Sequence, residues 1–297
     1  MSEPGSLRHL AAAALREDLG AAGCVTSTSL GLAETPVRAR IVAKAPGILS
    51  GMDVVQAVAE EVSPLLRVDA RVGDGEAVEP GSLVASISGP RTAILLFERT
   101  ALNFLQRLSG IATLTREFVK RVEGTRARIY DTRKTTPLLR SLEKNAVLAG
   151  GGENHRFGLY DQILVKENHI FAFCQEKGLP TRGPAAVASV VRAARAARPE
   201  GVRLEIEVRD GDEAEAAARA GAEIVLLDNF TVEDLAATVK TIRALEGPAA
   251  TTLLEASGGI TLETVAAVAR TGVDRISVGA LTHSASALDL SLLMGDE

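Results

Sequence analysis

The chain has 297 residues, 46% of them hydrophobic and 24% charged, with a formal net charge of -5. That length accommodates one large α/β domain and a smaller partner, and the composition is that of an ordinary globular protein without a polyelectrolyte tail. The acidic balance argues against non-specific nucleic-acid binding, and the absence of Trp with only two Tyr leaves no base-stacking platform.

Residues 6–19 place Leu7, Leu10, Leu15 and Leu19 at helical spacing and stop at Gly20, which predicts a helix. Val37 to Ala43 alternates as VRARIVA, a half-exposed strand, before a Pro46-Gly47 turn. A helix is expected over 53–62, with short strands over 65–72 and 82–88, so this first segment reads as α+β. From Thr92 to Thr115 the pattern is helical and strongly buried, through Ile94, Phe97, Leu102, Leu105 and Leu108. Arg99 interrupts it, and reads either as a surface charge paired with Glu98 or as an inward or cross-subunit contact.

A new rhythm begins near residue 126. Strands are expected over 126–131, 162–166, 203–208, 222–228, 251–257 and 273–279. Helices are expected over 138–148, 184–197, 212–220, 231–245 and 261–271. Repeated buried strands and helices predict a (β/α) barrel, although an open doubly wound sheet would show a similar rhythm. Asp131, Lys166, Glu207, Asp228, Ser257 and Gly279 close these runs, at the rim where barrel sites are built.

Cys24 and Cys174 are the only cysteines, far apart and in no CxxC pattern, which fits a reduced, cytoplasmic setting without a thiolate metal site. The start lacks a sustained apolar core, so no secretion signal is expected, and the apolar runs fall short of a membrane span.

Between Ile129 and Ile170 the chain collects Arg133, Lys134, Arg140, Lys144, His155, Arg156, Lys166 and His169. Arg supplies a rigid fork for carboxylate or phosphate oxygens and Lys a mobile charge, so the set suits a small polyanionic substrate. Arg133 and Lys134 leave the first strand of the series side by side, and Pro137 is positioned to begin the next helix. Lys166 emerges from ILV at a strand end and needs a counter-anion, either Glu207 or substrate. Glu205 and Glu207 share one face of their strand, but Leu204, Ile206 and Val208 are equally apolar on the other, so spacing leaves the inward face open. Glu207 and Asp228 are the pair assigned to Mg2+, through water, since that metal takes one or two carboxylates and completes its shell with phosphates and waters. Gly258 and Gly259, and Gly279 after the last strand, can free backbone N–H groups for a phosphate.

The blocks DTRKTTP, GGGENHRFGLYDQILVKENH, IEV, LLDN, EASGGI and ISVGALTHS, in this order, resemble the quinolinate phosphoribosyltransferase family of type II phosphoribosyltransferases. The resemblance extends over nearly the whole chain, including ALREDLG, APGILSG and FERTALNFLQRLSGIATLT. It implies an α/β protein in which an incomplete (β/α) barrel over 114–283 packs with an N-terminal α/β sandwich-like domain over 1–113, which residues 284–297 could rejoin. It implies conversion of quinolinate and 5-phosphoribosyl 1-pyrophosphate to nicotinate mononucleotide, pyrophosphate and CO2, with Mg2+. By motif, Arg133, Arg156 and Lys166 would hold the quinolinate carboxylates, with His155 beside them and Lys134 between the substrates. Lys134, Lys166, Glu207 and Asp228 would carry the chemistry. Ser257, Gly258, Gly259, Gly279 and Ala280 would take the 5′-phosphate. Arg99 would enter a neighbouring subunit's site, which implies a homodimer or a hexamer of dimers. Departures from the family pattern are Gly23-Cys24-Val25 after the ALREDLG block, Glu167 in VKEN, and Arg209 after the acidic strand. A related phosphoribosyltransferase of different specificity and a non-catalytic phosphosugar-binding barrel are the alternatives.

Overall fold

The computed structural model describes residues 4–246 and 251–295. The chain divides into two compact units. The first comprises Met1–Arg116, Thr135–Gly151 and Leu281–Glu297, and the second Glu117–Lys134 and Gly152–Ala280.

In chain order the first unit begins with α1 (Pro4–Leu19) and α2 (Val25–Ser29), followed by β1 (Pro36–Ala43) and β2 (Gly47–Ile48). Then come α3 (Met52–Val62), β3 (Arg67–Ala70), β4 (Ala77–Val78), β5 (Leu83–Pro90) and the long α4 (Arg91–Arg121). α3 starts where Asp74 accepts the amides of Gly51, at 2.9 Å, and Met52, at 3.2 Å, so a loop side chain satisfies helix donors that have no partner of their own. β1 alternates as read from VRARIVA. Ala39, Ile41 and Ala43 are buried, joining Ala85 and Ile87 of β5 in the core. Burial of each such aliphatic side chain contributes about 1.5–3 kcal/mol, less for alanine. The opposite face carries Arg38 and Arg40.

The second unit continues with β6 (Arg128–Tyr130), after which α5 (Arg140–Ala149) belongs again to the first. The sequence expectation that Pro137 opens this helix is corrected. Leu138 has φ +67 and breaks the path, so the helix begins at Arg140. Next come β7 (Gln162–Val165), α6 (Glu167–Glu176), α7 (Pro184–Ala197), β8 (Arg203–Val208) and α8 (Gly211–Ala220). β9 (Ile224–Asp228), α9 (Val232–Glu246), β10 (Leu253–Ser257), α10 (Val265–Arg270), β11 (Arg275–Ser277), the short α11 (Ala280–His283) and β12 (Leu290–Met294) complete the chain. β12 pairs antiparallel with β1, Ile41 opposite Leu292 and Ala43 opposite Leu290, in the four-stranded sheet β12-β1-β5-β3.

The six strands β6-β11-β10-β9-β8-β7 form one parallel sheet with helices between them. β6 and β7 are its edges and do not pair, which is the incomplete barrel expected from the sequence. α8 shows how its helices are bounded. Asp210 caps it by accepting the Glu213 amide at 2.8 Å, and Gly221 ends it at φ +91, a left-handed position that disfavours a side chain.

Candidate active site

Parallel strands place residues opposite each other in register on the same face. One face of the sheet therefore carries Ile129, Val165, Leu204, Ile206, Val208, Val225, Leu227, Leu254, Ala256 and Ile276, all buried, with α7 and α8 packed on β8 and α10 on β11. The other face is polar. One row runs Glu207, Leu226, Glu255, Arg275 across β8 to β11, and the next runs Asp228, Ser257, Ser277, Tyr130 towards β6. Glu205 lies one step below Glu207 on that face, so both carboxylates point away from the apolar layer, the question their spacing left open.

At the carboxyl ends of the strands the Lys166 ammonium lies 2.5 Å from Glu207 Oε2. Asp228, at the end of neighbouring β9, is half-buried, and its carboxyl is raised above the ordinary value. Burial is the main cause and the Glu207 charge the next, opposed by Lys166, by the Asn229 side chain and by Lys134. These four charged groups thus share one electrostatic neighbourhood. Two carboxylates that crowd each other at a partly open rim are a donor set that fits a hydrated divalent cation.

A second group gathers Arg133, Arg156 and His155. Arg156 is buried, and its guanidinium is held below its ordinary value by desolvation first and by the Arg133 charge second. Two guanidiniums so placed repel each other and favour an anion between them. His155 is fixed from both ends. Its amide donates to Asp131 Oδ1 at 2.8 Å, and its ring Nδ1 accepts the Arg156 amide at 2.8 Å. Ring Nε2 lies 3.0 Å from Glu205 and 3.3 Å from Glu255, both fully buried. Desolvation lowers this ring's pKa, whereas the two carboxylates raise it. The Arg156 amide resists that charging, because Nδ1 cannot accept it once protonated. Burial raises Glu205, whereas Glu255 is held low, against its own burial, by His155 and Arg275.

His155, Glu205 and Glu255 have ligand atoms within 4.8 Å of one another, the geometry a metal could use. They are committed elsewhere: Arg275 Nε is 2.8 Å from Glu255 Oε2, Ser277 donates to Glu255, and the Gln162 amide donates to Glu205. The trio is therefore an ion-pair and hydrogen-bond network.

The glycine turns sit above this layer. Gly258 (φ +96) and Gly259 (φ +60) are both left-handed, and a Cβ on Gly258 would strike Asn229 Oδ1, whereas one on Gly259 would meet open space. Asn229 is itself left-handed at φ +56. Its amide donates to the Ser257 carbonyl at 2.9 Å, and its side chain donates to Asp228 Oδ2 at 2.7 Å. Ser257 and the glycine turn are thereby tied to Asp228. Gly279 and Ala280 follow β11 at the same end of the sheet.

Other residues have different placements. Arg99 is exposed on α4, in the first unit, and pairs with no described carboxylate, Glu98 included. Arg140 and Lys144 lie on α5, also in the first unit. His169 is a helix cap: its Nδ1 accepts the Lys166 amide at 2.9 Å, at the start of α6. Sequence reasoning missed the buried Glu255, Arg275 and Ser277 and the half-buried Tyr130. The signal was there in the alternation of EAS and RIS, which repeats the phase of Glu205 and Glu207.

An open α/β barrel with a polar inner face, and with cations, carboxylates and glycine turns on its carboxyl rim, defines a protein built to handle small anionic substrates. Residues 111–293 match the family model of the quinolinate phosphoribosyl transferase C-terminal domain, and residues 25–109 that of its N-terminal domain. The chain belongs to the quinolinate phosphoribosyl transferase family. It is 42% identical over 284 residues to the nicotinate-nucleotide pyrophosphorylase (carboxylating) of Mycobacterium leprae, covering 94% of both chains. It is 41% identical to the probable enzyme of that name in Bacillus subtilis, covering 93% of this chain and 89% of the relative. The solved structure of the nicotinate-nucleotide pyrophosphorylase from Francisella tularensis superposes with TM-score 0.86 at 34% identity, covering 99% of this chain and 98% of that one.

Proposed function

We infer that this chain is a decarboxylating quinolinate phosphoribosyltransferase, a pentosyltransferase of NAD biosynthesis that converts quinolinate and 5-phosphoribosyl 1-pyrophosphate to nicotinate mononucleotide, pyrophosphate and CO2. The observation that carries this reading is the pairing of a buried Arg156 with a half-buried Arg133 in a chain of this family. A ring with two adjacent carboxylates supplies the two negative charges that such a pair needs.

In our reading Arg133, Arg156 and Lys166 hold the quinolinate carboxylates, and Lys134 lies between the acceptor and the donor pyrophosphate. Ser257, Gly258, Gly259, Gly279 and Ala280 form the 5′-phosphate cradle. The quinolinate nitrogen forms the new bond to ribose C1 as pyrophosphate leaves with the electrons of the old one. Glu207 and Asp228 face the positive character that develops on the ribose. The carboxylate beside the ring nitrogen then departs as CO2, and its electron pair stays on the ring carbon, stabilised by the new N⁺ until a proton arrives. Glu207 and Asp228 would hold Mg2+, which when bound offsets the charge of the leaving pyrophosphate. Arg99 completes the site of a second copy, so the working form is a homodimer or an assembly of dimers. A cytoplasmic location fits the two free cysteines, and no described helix is long and apolar enough to cross a membrane.

The test supplies purified protein with 5-phosphoribosyl 1-pyrophosphate and either quinolinate or nicotinate, with and without Mg2+. Equal amounts of CO2 and pyrophosphate from quinolinate, abolished by chelation, are expected. Turnover of nicotinate alone would overturn the dicarboxylate reading. CO2 release without pyrophosphate would overturn the order of steps.

A further inference from the structure

We propose that Glu205 and Glu255 are positioning residues which set the guanidinium of Arg156 against that of Arg133 by gripping His155 from beneath. This rests on assigning the substrate's carboxylates to Arg133 and Arg156.

The argument begins with the His155 ring, which has one nitrogen for each task. Nδ1 accepts the Arg156 amide at 2.8 Å and must be unprotonated to do so. Nε2 then carries the ring's only proton and presents it to Glu205 at 3.0 Å and Glu255 at 3.3 Å. The ring is a neutral strut between two buried carboxylates and the backbone of Arg156. Its reach to substrate runs through that backbone.

Glu255 is matched by Arg275, 2.8 Å away, whose guanidinium lies 3.9 Å above the Tyr130 ring. The charge of Glu205 acts on the Arg156 guanidinium. Both acids are also held by neutral donors, Ser277 on Glu255 and Gln162 on Glu205, so neither can swing to follow the ring. The strut is rigid because its base is.

Two measurements test this. In the wild-type protein, labelled with 15N at histidine, the His155 ring is expected as the Nε2–H tautomer at neutral pH, assigned by the loss of its signals in His155→Asn. Protonation of both ring nitrogens, or averaging of the two tautomers, would overturn the proposal. The second is kinetic. Glu205→Ala removes the acceptor, and its KM for quinolinate is expected to rise about tenfold while the KM for 5-phosphoribosyl 1-pyrophosphate stays within about twofold. Glu205→Gln keeps an oxygen for both His155 and Gln162, so KM for quinolinate should return to within about threefold of the parent. A parental KM in Glu205→Ala, or equal damage to both KM values in Ala and Gln variants alike, would sink the positioning role. If Glu205→Ala does not fold, the Gln variant and the tautomer measurement decide. Failure of the wild-type protein to turn over quinolinate would refute the functional assignment, and the tautomer would still be read independently.

Discussion

At the scale of single residues, the rim combines groups that tolerate no side chain with groups that need a particular one. Gly258 and Gly259 look alike in sequence yet differ in what surrounds them. At Gly258 a Cβ would meet both a left-handed backbone and the Asn229 side chain, which in turn hydrogen-bonds Asp228. Gly258→Ala should therefore cost about 1–3 kcal/mol of stability and displace Asn229, lowering kcat/KM for the phosphoribosyl donor. Gly259→Ala meets only the left-handed penalty of about 1–2 kcal/mol, with nothing near its Cβ, unless a phosphate needs that space. Denaturant unfolding and donor kinetics on the two variants separate these effects. A Gly259→Ala protein that binds donor normally would remove its backbone from the proposed cradle.

At the scale of elements, the strand positions were legible because a parallel sheet leaves a simple trace. Buried strands appear as apolar runs, and the RLEIEV strand was placed at its observed bounds, 203–208. Which face of that strand is inward was not legible, because Leu204, Ile206 and Val208 are as buried as Glu205. Only the register with β9 and β10 puts Glu207 in the row of Glu255 and Arg275. α6 was also missed. Its first turn, KENH, reads as a charged cluster: Lys166 holds the cap position where Ser or Asp is the usual signal, and the His169 ring reaches back to the Lys166 amide where Glu or Gln usually does. The segment leading into α5 is held by a feature that sequence spacing does not reveal. Glu143 is fully buried and accepts from the Arg107 guanidinium at 3.0 Å and from the Thr136 amide and hydroxyl at 3.0 and 2.8 Å. Glu143→Ala leaves Arg107 and two Thr136 donors without their acceptor, a loss of about 3–5 kcal/mol. Urea unfolding should show that loss as a lower midpoint at unchanged slope.

At the scale of the whole molecule, the proposed role of Arg99 is one that a second copy of the chain would complete. It is exposed on α4 and pairs with no described carboxylate. A charge left open in one subunit is free to serve another, and two-fold symmetry would make the exchange reciprocal. Arg99→Ala and Lys166→Ala should each inactivate the protein when studied alone. If Arg99 acts across the interface, a mixed dimer of the two variants contains one complete site, with Lys166 from one chain and Arg99 from the other, and one site lacking both. Random remixing after mild dissociation makes half of the dimers mixed, so activity should return to about a quarter of the wild-type value. Arg99 acting within its own chain would leave every mixed dimer with two damaged sites and no recovery. The comparison also separates assembly from catalysis, because subunits that fail to exchange keep their original sizes and composition by mass spectrometry. Recovery in a mixture shown to have exchanged is then the signature of a site built from two chains.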